Sequence, residues 1–95
     1  MLKSVGLFLG DSTDLDKYAK AISCINVAYA YCDEELAGRL DTLRMELGQF
    51  TGDVTDGSGD SKGSFADSSE ALKAVAIYIS RYNREFFKIE KNERW

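Results

Sequence analysis

Between residues 15 and 36 the apolar side chains fall at Leu15, Tyr18, Ile22, Ile25, Tyr29, Cys32 and Leu36, in steps of three and four. That spacing lays one apolar seam along a helix. The seam continues through Leu40, Leu43, Leu47 and Phe50, with one additional four-residue step beside Asp33, Glu34 and Glu35. A stutter of this kind unwinds or breaks a helix, and the acids there suit a new helix N-terminus capped by Asp33. The pattern therefore predicts a first helical arm over residues 13–50, bent or split in two near 32–38. Thr13 with Asp16, or Ser12 alone, suits its cap.

A second seam runs Leu72, Val75, Ile79, Tyr82, Phe86 and Ile89, and predicts a helix over residues 68–92 opened by Asp67 and Glu70 as a capping box. Between the arms, residues 51–67 hold Gly52, Gly57, Gly59 and Gly63 among Asp and Ser, with few apolar positions and no period. They read as a flexible loop. Residues 1–12 form an N-terminal arm whose short apolar run, Val5 to Leu9, is compatible with strand, extended chain or helix. The fold class expected is all-α, an antiparallel helical hairpin.

Each arm carries more apolar surface than one partner covers. Ala21, Cys24, Ala28 and Tyr31 flank the first seam, and Ala71, Ala74 and Tyr78 flank the second. Two hairpins pairing into a dimeric or higher bundle would bury the surplus, and so would Val5 to Leu9 folding back within one chain. The first of these is the expectation.

Ninety-five residues, 44% hydrophobic and 29% charged, make a single globular domain. The net charge of −4 opposes binding to duplex nucleic acid or to an anionic membrane. Its distribution is uneven, because residues 1–70 hold 13 acids and 6 bases whereas residues 71–95 hold 3 acids and 6 bases. Cys24 and Cys32, eight positions apart along one expected helix, sit too far apart to bridge. They read as reduced thiols, which places the chain in the cytoplasm. The opening apolar run is too short for a secretion signal or a membrane span.

Little catalytic chemistry is on offer. The chain has no histidine, and neither cysteine has a basic neighbour in sequence to activate it. Asp56, Ser58, Asp60 and Asp67 match the spacing of a calcium loop, but Ser61 replaces the turn glycine and Asp67 the bidentate glutamate. The segment from Gly57 to Ser64 lacks the Gly-Lys-Ser/Thr order of a phosphate loop and carries Asp60 where the anion belongs. No catalytic residue, metal site or cofactor is expected.

The segment with most to offer is the last. Arg81, Arg84, Lys88 and Lys91 recur beside the second seam at three- and four-residue steps, with Phe87 and Trp95 nearby. Such bases commonly pair with acids on a neighbouring helix or complement a helix dipole. The functional alternative is a cationic ridge. On that basis the expected function is a non-enzymatic interaction protein, an adaptor, inhibitor or assembly factor, that holds a protein partner through Arg81, Arg84, Lys88, Tyr78, Tyr82 and Phe87. Small helical chains of this kind are often phage or mobile-element products, by association alone. The competing expectation is an oligomeric binder of a nucleotide or other phosphate-bearing small molecule. In it Arg81, Arg84 and Lys88 hold phosphate, and Tyr78 or Tyr82 packs on a base.

Overall fold

The computed structural model describes residues 1–57 and 59–92. Ser58 of the calcium spacing and Trp95 beside the ridge lie outside the described residues. Among the described residues five α-helices follow one another: α1 (Leu2–Gly10), α2 (Leu15–Ala28), α3 (Glu34–Asp56), α4 (Ser61–Tyr82) and α5 (Arg84–Asn92). A single 3-10 turn, Tyr29–Tyr31, follows α2, and among the described residues there is no strand. The chain is all-α.

The first arm is split. After the 3-10 turn Cys32 takes an extended conformation and Asp33 caps α3, its carboxylate accepting from the Leu36 N–H at 2.8 Å. This is the new N-terminus that the stutter and its acids allowed. With α2 ending at Ala28, Cys24 and Cys32 do not share a helix, and both are free thiols. The cap of α2 is Asp14, not Thr13 or Ser12, and its carboxylate accepts from the N–H groups of Asp16 and Lys17.

Residues 51–56 and 61–67, expected to be loop, are helical. Helix α3 continues to Asp56, where Gly57 adopts a left-handed φ of 68° as its C-cap, and Asp60 caps α4 by accepting from the Gly63 N–H at 2.9 Å. Asp67 and Glu70 therefore lie inside α4 and open nothing. Packing overrides the weak local propensity. Phe65 meets Phe50 edge-on at 5.6 Å, and Ser64, buried and small, brings α4 close to α3 and donates its hydroxyl to Asp53. Farther along, Arg39 donates to the Ala74 carbonyl and Tyr78 to Asp33, so α3 and α4 run in opposite directions side by side.

The second predicted helix is broken as well. At Asn83 the chain leaves the helical conformation, with φ −137° and ψ 75°, and α5 starts afresh. Its seam divides there: Val75, Ile79 and Phe86 are buried, whereas Tyr82 and Ile89 are exposed. Leu15, at the first turn of α2, is also exposed.

The core joins Val5 and Phe8 of α1, Ala21 and Ile25 of α2, Leu36, Leu40, Leu43, Leu47 and Phe50 of α3, and Val75 and Ile79 of α4. Phe8 sits at its centre, its ring 5.3 Å from Tyr18 and 6.0 Å from Phe50. Because α1 packs on α2 and α4, much of the surplus apolar face is covered within one chain. Ala21, Ala28 and Ala71 are buried, Cys24, Ala74 and Tyr78 are half-buried, and Tyr31 is exposed.

Candidate functional site

Helix α5 has two unlike faces, set by its spacing. Positions 86 and 90 are one turn apart and point inward, as does the capping residue before them. Asn83 accepts from the Phe86 N–H at 3.1 Å and donates its amide to the Tyr31 carbonyl at 2.8 Å, fixing the start of α5 to the end of the 3-10 turn. Phe86 stacks on Tyr31 with centroids 5.4 Å apart. Glu90, 3% exposed, receives the N-terminal ammonium of Met1 at 2.9 Å and the Leu2 N–H at 3.2 Å. Carboxylate and ammonium are buried together, the arrangement a charge needs away from water.

The opposite face is cationic. Arg84, Lys88 and Lys91 stand four and three positions apart, which stacks them on one side of the helix. They line an open groove of about 260 Å³ together with Phe87 of α5 and Ser80 of α4. Lys91 lies over the Phe87 ring, 5.8 Å from its centroid. The Ser80 hydroxyl donates back to the Ile77 carbonyl at 2.9 Å.

These bases do not pair with acids on a neighbouring helix. Lys17, Arg39 and Arg44 hold Asp11, Glu35 and Asp41 respectively, whereas among the described residues Arg81, Arg84, Lys88 and Lys91 form no ion pair. Neither carboxylate of α5 is paired with them. Glu90 is turned inward onto Met1, and Glu85, although only three positions before Lys88, forms no ion pair with it.

The six residues singled out in the sequence divide into two groups. Arg84, Phe87 and Lys88 come together in the groove, joined by Ser80 and Lys91. Tyr78, Tyr82 and Arg81 belong to the last turns of α4 and do not line it, because the break at Asn83 ends the register that put them on the same ridge. Tyr78 is engaged elsewhere. Its hydroxyl donates to Asp33 at 2.6 Å, its ring lies 5.1 Å from Tyr82, and the Arg39 guanidinium covers it at 5.1 Å. That hydrogen bond raises the Tyr78 pKa to about 12 and lowers that of Asp33, so the bond joins a neutral phenol to a carboxylate throughout the neutral range. A base stacked on Tyr78 would have to displace Arg39. Lys91 was legible as a further member of the ridge, but Ser80 was not, since it reaches the groove only because the chain turns at Asn83.

Other groups offer little reactivity. Burial and the nearby Asp33 and Asp41 push the Cys32 thiol up, away from the thiolate form that attacks or ligates. Tyr29, raised to about 12 by burial and by its hydrogen bond to Asp41, stays protonated. Among the described residues no three His, Cys, Asp or Glu side chains gather to hold a metal ion, and no helix is long and apolar enough to cross a membrane. At the start of α4, the only part resembling a phosphate loop, the Asp60 carboxylate occupies the helix N-terminus. Comparison with protein-family models, with curated proteins and with solved structures finds no match to this chain.

Proposed function

We propose that this chain is a non-enzymatic interaction module that docks an acidic partner on the outer face of α5. The observation that carries the reading is the trio Arg84, Lys88 and Lys91, exposed on one helical face and holding no carboxylate among the described residues. Like charges one turn apart weaken an isolated helix by about 0.2–0.5 kcal/mol per pair. A helix as short as α5 is marginal by itself. The inner face, through Phe86, Asn83 and Glu90, holds it against that repulsion, and the outer face is left available for charge recognition. Arg81 and the exposed ring of Tyr82 extend the same end of the molecule and supply an aromatic contact at its rim.

Recognition of this kind is steered by charge, so salt weakens it. The test is binding of a polyglutamate peptide to the chain and to its Arg84→Glu/Lys88→Glu variant, read by fluorescence anisotropy across a salt series. The chain is expected to bind with an affinity that falls as salt rises, and the variant to bind at least roughly tenfold more weakly with an unchanged melting curve. Equal affinities for the two proteins would remove the proposal.

A further inference from the structure

The groove on α5 is more than a charged surface. Three cations share one concavity, Ser80 adds a neutral hydroxyl at its edge, and Phe87 forms an apolar side. A carboxylate brings one negative charge and two acceptor oxygens, and would leave most of that positive charge unanswered. A phosphoryl group brings a charge of about −1.5 to −2 at neutral pH and three acceptor oxygens. Arg84 offers it a planar fork of donors, and the two lysines offer mobile point charges that reach the remaining oxygens. The groove is open along the helix, so whatever carries the phosphoryl group runs out into solvent.

We propose that this groove binds a phosphoryl group, with Arg84, Lys88 and Lys91 as its ligands and Ser80 at its edge. The inference rests on the docking proposal above in one respect, that the phosphoryl group is borne by a side chain of the docked acidic partner. A free phosphate presents the same chemistry, and the experiment separates the two sources.

Amide spectra of the isotope-labelled chain are followed at constant ionic strength during three separate titrations: with inorganic phosphate, with an acidic peptide carrying one phosphoserine, and with the same peptide carrying serine. The phosphopeptide is expected to bind about tenfold more tightly than its serine form, with the added shifts concentrated at Ser80, Arg84, Lys88 and Lys91. Lys88→Gln is expected to weaken both peptides and to cost the phosphopeptide severalfold more than its serine form, so that the gain from the phosphoryl group shrinks. Equal binding of the two peptides overturns the phosphoryl site and leaves the docking proposal standing. Inorganic phosphate shifting those four amides, with neither peptide bound, supports the groove and overturns the docking proposal. No shift with any of the three overturns both.

Discussion

Glu90 stands among Lys88, Lys91 and Asn92 in a stretch of alternating charge, where nothing in the sequence marks it as different from Glu85. Its position one turn after Phe86 decides its environment, because both are carried to the face that meets α1 and the 3-10 turn. A buried carboxylate is tolerable only with a partner, and the Met1 ammonium supplies one. Replacing Glu90 by Leu removes the buried carboxylate on which the Met1 ammonium and the Leu2 N–H converge, and is expected to cost about 3 kcal/mol, read from urea unfolding. A variant as stable as the parent would show the pair to be incidental. At this scale the sequence was legible where a residue acts through its neighbours, as Asp33 does in capping α3. It was opaque where the partner is remote, as for Glu90 with Met1 or Tyr78 with Asp33.

The helices themselves were read correctly in kind and less well in extent. Periodicity carried the seams through Leu36–Phe50 and Leu72–Ile79, yet the same regular spacing ran unbroken across Asn83, where the chain turns. Asparagine is a poor residue inside a helix and a good one at its N-cap, a signal that the intact seam concealed. The stretch 51–67 failed in the opposite sense: its glycines and serines read as loop, whereas contacts such as Phe50 with Phe65 hold it helical and reduce the connection to residues 57–60. Asn83→Ala removes both the cap of α5 and the link to Tyr31, and is expected to cost about 1–2 kcal/mol. Hydrogen exchange should then show protection lost across α5 and retained in α3 and α4. Unchanged protection in α5 would mean that Phe86 and Glu90 hold it without the cap.

Across the whole molecule, the surplus apolar faces visible in the sequence meet α1 and α5, two short helices whose roles periodicity alone did not assign. Phe8 joins three helices at once, and Phe8→Ala is expected to lose about 3–5 kcal/mol with a matching fall in the urea midpoint; a loss below 1 kcal/mol would place α1 outside the core. Charge is distributed along the long axis of a body 40 Å in extent. Asp11, Asp14, Asp53, Asp56 and Asp60 belong to the turns beside the far end of α3, whereas Asp33, Glu34 and Glu35 open α3 at the end where Asn83 meets Tyr31. The pairing of Met1 with Glu90 bears also on the order of events during synthesis, since the two are 89 positions apart. At about 5–20 residues per second, a ribosome delivers the carboxylate roughly 5–20 seconds after the ammonium. Helix α1 must wait through that interval with its end unlocked, so the pair between Met1 and Glu90 closes only after α5 has been made.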